Sequence, residues 1–193
     1  MQNRHFNLPR MERESYRGQS YVHWNLVIEG RRTGWLTPVF YYRFRELLTH
    51  TAFRYSLTCP IFCLMPDHLH LLWIGIDAKT DQLNAMRFFR TEVGESLKRV
   101  GFEFQRQAYD RILRDDQRQE SALEALVEYI ARNPERKGMV PVEQFFRYPY
   151  TGCLIPGYPE IRLWENNYWP RFWRCYSFLN RFGLYRRFDE QLK

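Results

Sequence analysis

The stretch that most constrains this chain is Cys63-Leu64-Met65-Pro66-Asp67-His68-Leu69-His70-Leu71-Leu72-Trp73. Proline followed by aspartate favours a turn, and the alternating run after it predicts a strand. Successive strand side chains point to opposite faces, which puts His68, His70 and Leu72 on one side and Leu69, Leu71 and Trp73 on the other. Two imidazoles on one face, with backbones about 7 Å apart, can converge on a metal ion. The plainer reading, a strand histidine that is only a satisfied polar group, stands beside it.

The flanking sequence says what this strand belongs to. Tyr21 to Ile28 alternates and is rich in β-branched and aromatic residues, predicting a first strand. Thr37-Pro38 has the form of a helix cap with proline in the first turn, opening a helix to about His50. Tyr55 to Leu64 and His68 to Ile76 form a hairpin-like pair across Pro66. Asp81 to about Val100 is helical, with Met86, Phe89, Val93 and Leu97 inside and Arg87, Arg90, Lys98 and Arg99 outside. Phe102 to Leu113 alternates again as a fourth strand, and Leu123, Leu126, Val127 and Ile130 stripe a last helix, Gln119 to Asn133, stopped by Pro134. The order predicts an α+β fold. It is a ferredoxin-like βαββαβ split unit, an antiparallel sheet with helices on one face, followed by an extra helix.

On that helix Tyr129 and Asn133 are four residues apart, about 40° around the axis, on the flank of the apolar stripe. Ala122 and Ala125 leave that flank open. An exposed tyrosine with a polar neighbour one turn on is a plausible reactive pair; a tyrosine packed at a helix edge is the bland alternative.

Composition narrows the partners. A net charge of +7, a pI near 9.4 and 18% aromatics suit nucleic acid, with basic groups on phosphate and rings on unpaired bases. No apolar run is long enough to span a membrane. Cys59, Cys63, Cys153 and Cys175 lack disulfide or metal spacing and are expected as thiols in a cytoplasmic setting. Residues 1–19 are expected to be a mobile basic arm, 20–140 the α+β domain, and 141–193 an irregular, basic, aromatic-rich extension. The extension's tail interleaves Arg162, Arg171, Arg174, Arg181, Arg186 and Arg187 with ten aromatics over residues 161–193. It is either a stacking surface for single strands or a segment packed on the core.

Leu64 to Leu72 resembles the histidine-hydrophobic-histidine motif of HUH single-strand endonucleases. Tyr129-Ile130-Ala131-Arg132-Asn133-Pro134 with Gly138-Met139-Val140 resembles the signature of REP-associated tyrosine transposases, relatives of the single-tyrosine insertion-sequence transposases. Phe104 to Arg111 is similar to the strand such proteins place before the tyrosine helix. The resemblance covers roughly residues 20–150. Asp67 departs from it, standing where the family usually has asparagine.

The resemblance implies a DNA nicking and joining enzyme. Tyr129 would attack a phosphodiester to give a 5′-phosphotyrosine, and His68, His70 and Asn133 would hold Mg²⁺ or Mn²⁺. Arg87, Arg90, Lys98, Arg99, Arg106 and Arg132 are the expected DNA contacts, on single-stranded or hairpin DNA, in a monomer or homodimer. Two other classes stay open: a non-catalytic single-strand binder on the same scaffold, and a metal hydrolase of small phosphoesters. The hydrolase is disfavoured because Asp67 alone supplies few carboxylate ligands.

Overall fold

Five strands, β1 (Tyr21–Val27), β2 (Leu57–Met65), β3 (His68–Gly75), β4 (Tyr109–Ile112) and β5 (Thr151–Leu154), pair antiparallel in the order β4-β1-β3-β2-β5. The structure is a computed structural model and describes residues 10–184. Met65 pairs with His68, so β2 and β3 are joined by Pro66 and Asp67 alone. Two-residue connections are the commonest in hairpins and fix register.

Two helices cover one face of the sheet. α1 (Pro38–Tyr55) starts where the Thr37 side chain accepts from the Phe40 amide at 3.2 Å, and α2 (Gln82–Lys98) where the Asp81 carboxylate accepts from Asn84 at 2.9 Å. Each cap satisfies an amide that the first helical turn leaves without an intrahelical partner. Phe44, Leu48, Met86, Phe89, Val93 and Leu97 pack there against Leu69, Leu71 and Trp73. Leu72 belongs to the opposite face, with Ile61, Cys63 and Ile74, so the alternation expected along β3 is the one found.

That second face is covered by later elements. α4 (Glu120–Ala131) lays Leu123, Val127 and Ile130 on it, and α6 (Tyr168–Phe182) adds Tyr168, Phe172, Tyr176 and Leu179. The split unit's own helices therefore share one side, while the tyrosine helix lies on the side of the histidines. Two single turns, α3 (Asp115–Arg118) and α5 (Asn133–Arg136), flank α4 in sequence.

Several boundaries differ from expectation for identifiable reasons. The fourth strand is only four residues long. Residues 102–108 touch β1's end through an Ile28–Phe104 bridge, but the carbonyls of Gln105 and Arg106 accept from Arg90, at 2.5 and 3.2 Å, instead of extending the ladder. The tyrosine helix breaks at Arg132, before Pro134. The proline then occupies the first turn of α5, where its missing N–H costs nothing. The extension is not irregular. It contributes β5, and Pro170 lies in the first turn of α6, a tolerated position rather than a break. Nor is the N-terminal arm mobile where it is described: a 3₁₀ turn at Arg13–Tyr16 buries Tyr16 completely beside Trp24, and its hydroxyl donates to Asp110. Residues 1–9 of the arm, and Arg186 and Arg187 of the extension, lie outside the described residues. Among those described, no helix is long and apolar enough to cross a membrane.

Candidate functional site

The short β2–β3 turn delivers His68 and His70 to the face beneath α4. Their Nε2 atoms are 3.1 Å apart, with the rings nearly perpendicular. Each outer nitrogen has its own partner. His68 Nδ1 lies 2.6 Å from Asp67 Oδ1, and Arg31 donates to the other Asp67 oxygen at 2.8 Å. Burial works to raise the Asp67 carboxyl, but hydrogen bonds from His68 and Arg31 outweigh it and hold the group below its ordinary value.

His70 Nδ1 lies 3.1 Å from Nε2 of His23, on the neighbouring strand β1. Burial, then the charges of His23, His68 and Arg136, push His70 down to about 3; burial and Arg111 push His23 down to about 4. Both are therefore neutral at neutral pH, the form in which imidazole binds metal.

The Nε2 atoms of His68 and His70, 3.1 Å apart, fit joint ligation of one ion, since each metal–imidazole bond is about 2.0–2.1 Å for zinc and similar for other divalent ions. The rest of the donor set is thin. Among the described residues no three histidine, cysteine or acidic side chains are grouped to hold a metal, and both Asp67 oxygens are already engaged.

The tyrosine half of the site is organised by a residue the sequence reading passed over. Tyr129 is 56% exposed on the open flank of α4. The guanidinium carbon of Arg136 stands 3.8 Å from the Tyr129 ring centroid, and the same group donates to the Tyr129 carbonyl at 2.8 Å and to Asn133 Oδ1 at 2.6 Å. Asn133 Nδ2 in turn donates to the Ile130 carbonyl at 3.1 Å. The amide oxygen expected on a metal thus has Arg136 as its partner. Arg136 ties the tyrosine to the asparagine, and its charge is one of the smaller causes that lower His70.

The expected DNA contacts divide. Arg87, Arg90 and Arg106 converge, with Arg10, around a cavity of about 460 Å³. Lys98 is paired with Glu95 at 2.8 Å, and Arg132 with Glu128 and Glu135 at 2.7 and 2.9 Å. Arg99 is exposed at the end of α2. In the extension Tyr168, Phe172 and Tyr176 are buried, so most of the aromatic set is core, while Trp164 and Phe178 keep 40% and 38% of their surface exposed. Tyr109 and Arg111 pair in register with Asn25 and His23, which places both on the histidine face of edge strand β4, and both are exposed.

No protein-family model matches the chain, and no curated protein does. A solved structure described as a REP-associated tyrosine transposase bound to a REP hairpin superimposes with a TM-score of 0.63 at 17% identity. The match covers 76% of this chain and 82% of the other. The two share a fold.

Proposed function

We propose that this protein binds structured single-stranded DNA and cuts and rejoins it through Tyr129, as a transposase-like strand transferase. The observation that carries the reading is that the histidine pair and the tyrosine helix lie on one face of the sheet, with the Arg136 guanidinium held against both Tyr129 and Asn133. The fold shared with a transposase that binds a REP hairpin supports it, as does the net charge of +7.

In this scheme the Tyr129 oxygen attacks phosphorus, the bond to the 3′ oxygen breaks, and a 5′-phosphotyrosine and a 3′-hydroxyl result. One proton leaves the phenol and one is taken up by the departing oxygen. The ester keeps the exchange reversible, so the freed hydroxyl can displace the tyrosine and rejoin strands. Arg136, stacked on the Tyr129 ring, puts a fixed positive charge where negative charge builds on phosphate and phenol. His68 and His70 would hold Mg²⁺ or Mn²⁺, imidazole favouring manganese, and the ion would supply Lewis-acid polarisation of the phosphate. Asp67 and His23 orient these rings.

Incubation with Mn²⁺ and a labelled hairpin carrying a single-stranded flank is expected to yield a covalent adduct stable to denaturation. Tyr129→Phe should abolish the adduct and leave hairpin binding within about twofold. Adduct formed by the variant would overturn the assignment. A second reading, a DNA binder without chemistry, is favoured by the engagement of Asn133 Oδ1 with Arg136. Hairpin binding with no metal-dependent adduct on any flank sequence would decide for it.

A further inference from the structure

Four arginines meet where α2, the segment before β4 and the N-terminal turn come together. Arg87 and Arg90 are three residues apart on α2, Arg106 precedes β4, and Arg10 enters from the N-terminal segment; Leu83, Met86 and Thr91 complete the wall. Charge compensation there is scant. Arg10 approaches Asp110 at 3.4 Å, and that carboxylate also accepts from Tyr16. Arg87 donates to the neutral amide oxygen of Asn84 at 3.2 Å, and Arg90 donates to two backbone carbonyls. Among the described residues Arg87, Arg90 and Arg106 have no carboxylate partner. Burial, with the charge of Arg10 second, lowers Arg90 from the ordinary arginine value. Like charges gathered around a half-buried guanidinium repel, and an anion in the cavity would relieve Arg87, Arg90 and Arg106 together.

We propose that this cavity is a phosphate site that grips the DNA backbone at a distance from the bond being cut. It deepens the DNA-handling reading above and rests on it. The geometry gives the site a consequence that a merely basic surface lacks. Leu83 and Met86 pack with the core on the α1–α2 face, whereas His68 and His70 occupy the other, so the full thickness of the sheet separates the arginines from the histidines. β4 is the sheet edge beside the arginines, and a strand passing round it from one place to the other meets Tyr109 and Arg111, exposed on the histidine side. Guanidinium groups suit this role, because each can bind two phosphate oxygens at once. A short substrate reaches the histidine face only; a longer one engages both.

The test is fluorescence anisotropy over a series of salt concentrations, using a long hairpin with its flank and a version truncated to the nucleotides around the cleaved bond. The wild type is compared with an Arg87→Ser/Arg106→Ser variant. Both residues are exposed, and thermal unfolding of the variant checks that the fold is kept. On the long hairpin the variant should bind at least tenfold more weakly at low salt. Its log–log salt slope should be shallower by about 1.4–1.8, two contacts at roughly 0.7–0.9 each. The loss should be several-fold smaller on the truncated DNA. An unchanged slope on the long hairpin, or equal losses on both lengths, would overturn the phosphate site while leaving the wild type's DNA binding in place. Failure of the wild type to bind either DNA would overturn both proposals.

Discussion

A ring nitrogen can accept a metal only if the proton sits on the other nitrogen, so what touches the far side of an imidazole chooses its chemistry. For His70 that neighbour is His23, 3.1 Å from Nδ1; for His68 it is Asp67, 2.6 Å from Nδ1. If His70 presents a lone pair at Nε2, its Nδ1–H must donate to His23 Nε2, and His23 then carries its own proton at Nδ1. His23→Leu removes that acceptor without adding volume, and Mn²⁺ affinity measured by titration calorimetry is expected to fall by about 10–100-fold, the usual cost of losing such a partner. His23→Gln, which offers an amide oxygen as acceptor, should recover much of the loss. The tautomer of His70, followed by nitrogen NMR in the metal-free protein, should change in the leucine variant and not in the glutamine one. Wild-type Mn²⁺ affinity in His23→Leu would show that β1 takes no part in the site.

At the scale of elements, α6 seals the histidine face with phenols and a thiol that have no water to ionise into. Cys153, on β5, is buried against α6, and burial pushes its thiol up to about 12; burial also raises Tyr168, whose hydroxyl donates to the Pro60 carbonyl. In the unfolded chain a thiol loses its proton near 8.5–9, so between there and about 12 the folded state binds more protons than the unfolded one. Stability must therefore fall as pH rises through that window, by about 1.4 kcal/mol per pH unit for each such group. Thermal unfolding between pH 8 and pH 11 should show the drop, and Cys153→Ala should make it shallower by one group's share. An identical pH profile in the variant would mean that the thiol is not sealed.

How far these elements could be read beforehand depended on where their information lay. The β3 alternation, the Thr37 cap and the α2 stripe are local patterns, and each formed where expected. α6 carries Tyr168, Phe172, Tyr176 and Leu179 at helical spacing, but the surrounding prolines masked a pattern that only Pro170's place in the first turn makes permissible. β5 is four residues long and has no period of its own; pairing with β2 makes it a strand. The histidines and Tyr129 were legible as motifs, and structural similarity supports the fold that joins them. The roles of His23 and Arg136 depend on strand adjacency and on the bend at Arg132, which no local pattern encodes.

Taken whole, the molecule is a sheet covered by helices on both sides, and its second layer is shared between α4 and the segment after residue 141. Tyr148, Cys153, Ile155, Ile161, Phe172, Tyr176 and Leu179 belong to the same apolar cluster as Ile61, Cys63, Leu72 and Ile74 of the central strands. Hydrogen bonds tie the layers as well: Tyr148 donates to the Leu64 carbonyl at 2.7 Å and Tyr176 to the Gly75 carbonyl at 3.0 Å. A boundary at residue 140 therefore cuts through a core rather than between domains. Removing a completely buried ring such as Phe172 alone costs about 3–5 kcal/mol, comparable to much of a typical domain's net stability of 5–15 kcal/mol. A chain ending at residue 140 would lose many such groups at once and uncover β2 along its length. It is expected to aggregate or to populate a loosely packed state that binds a hydrophobic dye, with strand and helix signals kept but the near-ultraviolet dichroism lost. The longer chain should instead unfold in one transition, with tryptophan fluorescence and far-ultraviolet dichroism coinciding in urea. Cooperative unfolding by the shortened chain at a similar urea midpoint would show that the histidine face is held by the split unit and α4 without help. The histidine face would then be separable from the extension, whereas the shared core predicts that the two are lost together.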